Sequence, residues 1–552
     1  MSFESELEAY FVRKKHVETS IAFPENFREL LALANKNHGD KTAINFFEQA
    51  SEKGVGMQLT FSELHDSVYH LAHGLTLIGV KKGSHVAVMM SNRIEFPVTW
   101  LALAVLGAVM VPVNTTYTGK ELDYLINDSD SEFIITENKF LAVFDDMKAK
   151  PATIGANQII VANYQGSVFH HWHHVSESGQ DDFMPDWPLH NDDLLNIQYT
   201  SGTTGFPKGC MQTQKYWILL GCVVDSMLPY SINNILTDHS FYYMDPQWQL
   251  VMALHCGARL NVAGRLSASK FIDRIKCYDI DMAWIPRPLL SQKASPDDVN
   301  LPLKKLFIGG ASAENIEQLQ QRFGIKVSNA YGMTEIGPGL IVPDEITDVD
   351  VLDTCGLMTP FRQCKVMLEN GEEAARNEPG ELWIKGDGIF NGYYNKPEAN
   401  SESFVDGWFR TGDKFIQTKK GYFKIIGRFK DMIRRSSENI SAMEVEHALS
   451  LHPLIEQAAV VAVPDDYRGE EVKAYILFRE LSKTLTPEQI IKHCQARLAA
   501  FKVPRYIEFV DDFPYTPTKK VAKHVLVGNS KNLVKNSWDS KKKTNSVRYC
   551  KH

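Results

Sequence analysis

The sequence predicts an α/β protein with a large layered N-terminal domain carrying mixed sheets (residues 1–427) and a small α+β C-terminal domain (428–527). Short β-branched runs alternate with helical periods through the first three quarters of the chain, the pattern of stacked α/β layers. After about residue 427 the units shorten and the order changes, which marks a second domain of ordinary size. A chain of 552 residues also needs about four structural units at roughly 150 residues each, so the large domain must itself hold several layers.

Each element has a local reason. At 60–78, Thr60 and Glu63 make a capping box, Leu64, Val68, Leu71, Ala72, Leu75 and Ile78 recur at helical spacing, and Gly79 ends the helix. The run FPVTWLALAVLGAVMVPV (96–113) carries no charge and lies at the lower edge of what spans a bilayer. Pro97 and Pro112 bracket it and Gly107 interrupts it, so it reads as buried core, and no transmembrane segment is expected. Strands are expected at 85–90, 132–136, 158–162, 193–199, 282–285, 305–308 and 326–329, several ending in the small residues that pass a strand into a ligand loop. In the second domain Ser441 and Glu444 form another capping box, 458–463 and 472–478 read as strands, and Thr486, Pro487 and Gln489 open a helix. The stretch 528–552 is polar, basic and without period, and is expected to be a disordered tail.

Composition narrows the function. The formal net charge is -8 and the pI about 6.2, so no nucleic-acid partner is expected and an anionic ligand must be held by local groups. Eight cysteines are scattered without a CxxC, and the acidic start MSFESELEAYF is unlike a secretory signal, so a reducing, cytoplasmic location is expected. FHHWHHV (169–175) offers His170 with His173 or His174 to a metal, but no carboxylate or cysteine joins them, and a solvated loop without a role is expected.

Five motifs carry chemistry. YTSGTTGFPKG (199–209) follows an apolar strand; its small residues can turn backbone N–H groups toward phosphate, with Lys208 as a point charge, or it is an ordinary loop. It is not a Walker loop, since GxxxxGK[ST] is absent. VSNAYGMTEIG (327–337) presents the Thr334 hydroxyl and the Glu335 carboxylate together, which suits magnesium, with Tyr331 available to stack on a base; the alternative is a helix N-cap with an acidic first turn. In GWFRTGD (407–413) the carboxylate of Asp413 can accept two hydrogen bonds from a diol such as ribose, or the segment is a hairpin turn. GRFKDMIRRSSENIS (427–441) is a charged link at the change of texture, and TPTKKVAK (516–523) closes the small domain.

In this order and at these distances the five motifs resemble the acyl-adenylate-forming superfamily of acyl-CoA synthetases, adenylation domains and luciferases, over residues 25–527. The stretch VPVNTTYTGKELDYLINDSDS (111–131) is most similar to ligases of small or medium acids, including the carnitine and crotonobetaine group. The resemblance implies an enzyme that uses ATP, magnesium and coenzyme A to activate a small-molecule carboxylic acid. It assigns Thr200, Ser201, Gly202, Thr203, Thr204, Gly205 and Lys208 to the phosphates. Gly309, Gly310, Ala311, Asn329, Ala330 and Tyr331 go to the adenine wall, with Gly332 and Thr334 beside it. Asp413 and Arg428 become the ribose clamp, and Thr204 with Glu335 the magnesium position. The small domain is then a mobile lid: Lys430 is the hinge, Arg434, Ser437 and Glu438 lie on the coenzyme A side, and Lys520 is the mobile lysine that meets the reacting carboxylate.

Two positions depart from that pattern. Lys519 stands where glycine usually precedes the mobile lysine, and Ser437 where glycine usually precedes Glu438, narrowing backbone freedom and the path for the pantetheine arm. Transfer to a carrier-protein phosphopantetheine, or a non-catalytic nucleotide binder, are therefore the competing readings. MDPQWQL (244–250) lacks the aromatic-histidine pair common at this place and leaves Trp248 as a pocket wall. The sequence does not name the acid and leaves monomer and homodimer both open.

Overall fold

The computed structural model of the chain describes residues 3–48, 56–147, 154–180, 183–200, 207–286, 289–290, 292–309, 311, 313–428, 432–436, 438–479, 485–514, 521, 523–528 and 533–542. Among them the strands form four sheets. The first runs in the order His170–His171, Ile159–Ala162, Phe133–Glu137, His85–Met89, Val109–Pro112, Leu194–Thr200, Lys208–Thr213. Its strands are parallel except for the last pair, an antiparallel hairpin.

The second sheet is also parallel at its centre, where Lys305–Ile308 lies between Met282–Trp284 and Val327–Met333. It turns antiparallel at Gly337–Ile341. A third, antiparallel sheet pairs Trp408–Gln417 with Gly380–Gly386 and Phe423–Arg428. The fourth belongs to the second domain and is built on the long hairpin Ile455–Asp465 and Gly469–Phe478.

The packing follows the sequence pattern. Helix Phe61–Leu77 starts on the Thr60/Glu63 capping box and buries Leu64, Val68, Leu71, Ala72 and Leu75. The uncharged run becomes helix Glu95–Leu106, closed by Gly107 at φ +71° and followed by strand Val109–Pro112. All twelve residues of that helix are buried, because it is wrapped by its own domain on every side. No helix among the described residues is long and apolar enough to cross a membrane.

Three expectations are corrected. Helix Ala442–Ser450 keeps the Ser441 cap, yet only half of the box forms, because the Glu444 carboxylate turns to Lys502. The histidine run is an edge strand His170–His171 and a short helix Trp172–Glu177 with Trp172 and Val175 buried, rather than a loop. Residues 533–542 of the expected disordered tail are ordered into the second domain: Trp538–Asp539 pairs with Tyr506–Phe509 and Trp538 enters its core. The cause is one apolar ring and one carboxylate in a polar stretch, for Asp539 takes the Arg505 guanidinium at 3.1 Å while Trp538 fills the core.

Candidate active site

A cavity of about 1110 Å³ opens at the carboxyl ends of the parallel strands of the first two sheets and is closed over by the third sheet and the second domain. This is where ligands enter open α/β sheets, because the strand ends release their loops there.

The hairpin Leu194–Thr200/Lys208–Thr213 sets Thr200 opposite Lys208, and both line the cavity. Ser201, Gly202, Thr203, Thr204 and Gly205 lie outside the described residues. The Lys208 ammonium sits 4.6 Å from the centroid of the Tyr393 ring. Tyr393 in turn donates its hydroxyl to Glu335 Oε1 at 2.9 Å, so one ring connects the lysine of the first motif to the carboxylate of the second.

Thr334 and Glu335 occupy the turn between strands Val327–Met333 and Gly337–Ile341, not the start of a helix. The turn is locked from below: the Thr334 carbonyl accepts from Gln212 Nε2 at 2.8 Å and from the Tyr216 hydroxyl at 2.9 Å. The Phe390 amide holds the Glu335 carbonyl. Burial pushes the Glu335 carboxyl above the usual carboxylate range, against the Tyr393 hydrogen bond and the nearby Lys208. Among the described residues no ion pair to Glu335 is present, so a buried carboxylate stands beside a hydroxyl with the Lys208 cation nearby. That donor chemistry fits a hard divalent ion completed by phosphate oxygens and water. The described residues hold no group of three or more metal-ligating side chains, as is ordinary for magnesium with nucleotide.

Farther along, Ala330, Tyr331 and Gly332 line the cavity with Gly309. Tyr331 packs edge-on against Phe415 at 5.0 Å, and its hydroxyl donates to Asp413 Oδ2 at 2.8 Å. Asp413 also lines the cavity, and its backbone lies opposite Arg428 in the third sheet. It lies within strand Trp408–Gln417 rather than in a hairpin turn. Gly412, at φ +71°, gives its amide to Glu381 Oε1 at 3.0 Å, which fixes the bend that presents Asp413. Asn329 and Ala311 fall outside the cavity lining: Asn329 Nδ2 donates to the Thr354 carbonyl at 3.0 Å, and Ala311 packs on the core beneath. Gly310 lies outside the described residues.

The second domain brings Arg434, Glu438, Phe501 and Lys502 to the same cavity. Glu438 accepts a hydrogen bond from the Tyr243 hydroxyl, which itself accepts from Asn114 Nδ2 at 3.0 Å. Burial raises the Glu438 carboxyl. Lys502, 2% exposed, bridges Glu121 Oε1 at 3.1 Å and Glu444 Oε1 at 2.8 Å. Those two carboxylates and Tyr117 hold its ammonium above the usual lysine range despite burial. Lys430, Ser437, Lys519 and Lys520 lie outside the described residues. Trp248 stands in the cavity wall with Trp284 and Phe307.

Sequence reasoning missed Tyr393, Tyr243, Lys502 and Glu381. A lone lysine inside the apolar FKVP run, at 501–504, was the one available signal; the tyrosines carried none.

Layered parallel sheets with a nucleotide-sized cavity at their carboxyl ends, and a small domain on top, define a nucleotide-dependent enzyme of two domains. The chain belongs to the AMP-binding enzyme family, whose model matches residues 31–394, and the AMP-binding enzyme C-terminal domain matches 444–520. It is 31% identical over 510 residues to the crotonobetaine/carnitine–CoA ligase of Proteus mirabilis (strain HI4320), covering 88% of this chain and 96% of that protein. Among solved structures it is similar to ATP-bound MatB from Rhodopseudomonas palustris (TM-score 0.65, 26% identity, 92% of this chain and 100% of that one). It is also similar to a double mutant of o-succinylbenzoate CoA synthetase (MenE) from Bacillus subtilis bound with its product analogue OSB-NCoA (TM-score 0.78, 22% identity, 91% and 98%).

Proposed function

We propose that the protein is a cytoplasmic AMP-forming carboxylic acid–CoA ligase, and the observation that carries this reading is that one cavity takes its walls from both domains. The names of the relatives crotonobetaine/carnitine–CoA ligase and o-succinylbenzoate CoA synthetase support coenzyme A over a carrier protein as acceptor. In the first half-reaction an acid carboxylate oxygen attacks the α-phosphorus of ATP; the acyl-adenylate forms and pyrophosphate leaves. In the second, the thiolate of coenzyme A attacks the acyl carbon, AMP leaves with the electron pair, and the thiol proton passes to solvent.

The residues divide this work. Lys208 holds phosphate, a role that Ser201, Gly202, Thr203, Thr204 and Gly205 share. Asp413 holds the ribose diol, its orientation set by Tyr331 and by Glu381 through Gly412. Glu335, with Thr204, would hold magnesium, which when bound supplies positive charge to the phosphates as two anions approach. Tyr393 keeps the Glu335 carboxylate aimed, because its hydroxyl fixes one oxygen and leaves the other to the ion. Lys520 meets the carboxylate and α-phosphate in the first half-reaction, and Arg434 and Glu438 flank the entry of coenzyme A in the second. Because Lys520 is needed in one step and obstructs the other, the small domain turns about Lys430 between them.

Incubation with ATP, magnesium and a panel of carboxylic acids, followed by pyrophosphate release and then by mass detection of thioester on adding coenzyme A, tests the reading. Pyrophosphate and thioester with the same acid are expected. Adenylate with no thioester would move the acceptor to a carrier protein, and no pyrophosphate with any acid would leave a nucleotide binder.

A further inference from the structure

We infer that helix Gly119–Asp128 links the seat of the small domain to nucleotide affinity, with Tyr124 as a positioning residue for the hairpin that carries Lys208. This rests on the ligase reading above. The helix starts on a capping box of Thr118 and Glu121. Glu121, Tyr124 and Asp128 follow one another at spacings of three and four, so they share one face of it. Each has a partner in a different part of the molecule.

Glu121 divides its carboxylate. Oε2 accepts from the Thr118 amide and hydroxyl, both at 2.9 Å, and so completes the helix's own cap. Oε1 accepts from the Ala499 amide and from Lys502 Nζ, both at 3.1 Å, and so belongs to the small domain. One turn on, the Tyr124 hydroxyl donates to the Pro207 carbonyl at 2.9 Å. At the end of the helix Asp128 Oδ2 accepts from the Tyr199 hydroxyl at 2.8 Å, and Lys396 pairs with its other oxygen. Tyr199 lies in one strand of the hairpin and Pro207 immediately precedes the other, beside the pair Thr200 and Lys208 that faces the large cavity. Burial, reinforced by the Asp128 charge, keeps both tyrosine hydroxyls protonated and therefore donating.

The small domain also lies over this face directly. A second cavity, of about 80 Å³, is lined by Tyr124, Tyr199 and Pro207 on one side and by Ala448, Leu451 and Leu498 of the small domain on the other. That void leaves the two rings without contact atoms on one side, so their hydrogen bonds, rather than tight packing, fix them. When the small domain turns, Lys502 and Ala499 leave Glu121, and the cap on which the helix begins loses its outer support. A helix of ten residues moves as a unit, so a displacement at Glu121 is carried to Tyr124 and Asp128 and through them to both strands of the hairpin. Nucleotide affinity then depends on where the small domain sits, and by linkage bound nucleotide biases where it sits.

The test is a double-mutant cycle on the affinity for α,β-methylene-ATP with magnesium, which keeps the triphosphate but cannot release pyrophosphate, measured by calorimetry. Tyr124→Phe is expected to weaken binding about threefold to tenfold, the scale of one neutral hydrogen bond. The KM of the acid, and thioester formation from ready-made acyl-adenylate, should change by less than about twofold, because neither uses the departing phosphates. Lys502→Ala should shift the analogue's affinity by at least about threefold in the wild-type background and leave it unchanged in Tyr124→Phe. Should Lys502→Ala not fold, Lys502→Gln, which keeps a donor for the two carboxylates without the charge, takes its place. Additive effects of the two substitutions, or an affinity in Tyr124→Phe equal to that of the wild type, overturn the inference and leave the ligase reading intact. So does a Tyr124→Phe protein whose melting temperature and every rate fall together, since Tyr124 would then only hold the fold. No binding of the analogue by the wild type would overturn the ligase reading and this inference with it.

Discussion

The two ends of the cavity are held together in different ways. At the Tyr331–Asp413 end these contacts are made within the large domain: Tyr331 to Asp413, Glu381 to Gly412, Gln212 and Tyr216 to Thr334. At the Glu438–Lys502 end the contacts cross between domains: Tyr243 to Glu438, Glu121 to Lys502 and to the Ala499 amide. Bonds of the first kind persist however the small domain sits. Bonds of the second kind exist in one arrangement and must break in any other, so under the proposed turning of the small domain they stabilise one half-reaction and not both.

The largest effect should come from the residue argued to serve only one half. Lys520→Ala is expected to lower adenylation by about a hundredfold to a thousandfold, the scale of losing a preorganised charge at the transition state. Supplied with ready-made acyl-adenylate, it should still form thioester at a comparable rate, measured by rapid quench. Equal loss in both halves, or a larger loss in Lys519→Ala, would relocate the mobile lysine.

Glu335 belongs to the persistent end, and Glu335→Gln should cost about tenfold to a thousandfold in pyrophosphate release at limiting magnesium, with the fold unchanged by circular dichroism. Its carboxyl is held high by burial and must lose its proton to bind metal. Adenylation should therefore rise with pH through a limb above the ordinary glutamate range, and more magnesium should move that limb to lower pH. A limb insensitive to magnesium would assign it to another group.

For the crossing contacts, Lys502→Ala leaves Glu121 and Glu444 as buried neighbouring carboxylates without their cation. The ratio of the two half-reaction rates should shift about tenfold against the half that uses this arrangement, because removing one partner of a buried pair is costly and here the cost falls on one arrangement. If both rates fell together, the bridge would be stabilising the fold rather than the arrangement. The most conservative substitution is Tyr393→Phe, which keeps the ring beside Lys208 and deletes the hydrogen bond to Glu335. One such bond is worth about 1.5–3 kcal/mol to a charged group, so the expected loss is about tenfold to a hundredfold, appearing as a raised magnesium requirement. Loss of turnover at saturating magnesium would mean that the hydroxyl does more than aim the carboxylate.

The same division explains what could be read from the sequence. Thr60 with Glu63, Thr486 with Gln489 and the strand end before 201 are local: cap, period and turn residue lie within a few positions. Glu335 and Asp413 were legible because their motifs are contiguous. Lys502 was not, since its partner Glu121 lies 381 positions away, and Tyr243 pairs with a residue 195 positions on. Even the Ser441 box was half misread, because its glutamate had a stronger, distant claim from Lys502. That the Asn329 amide reaches the Thr354 carbonyl was not legible either, since the two lie 25 positions apart.

The short strand Trp538–Asp539 bears on how the protein is shortened or tagged. It covers one edge of Tyr506–Phe509, neutralises Arg505 and lends an indole to the interior of the small domain. A chain cut at 527 to remove its charged end would leave that edge with unpaired amides and carbonyls, a template on which a second molecule can add a strand. The shortened protein should therefore self-associate and lose lid stability, whereas a cut after 542 spares the edge.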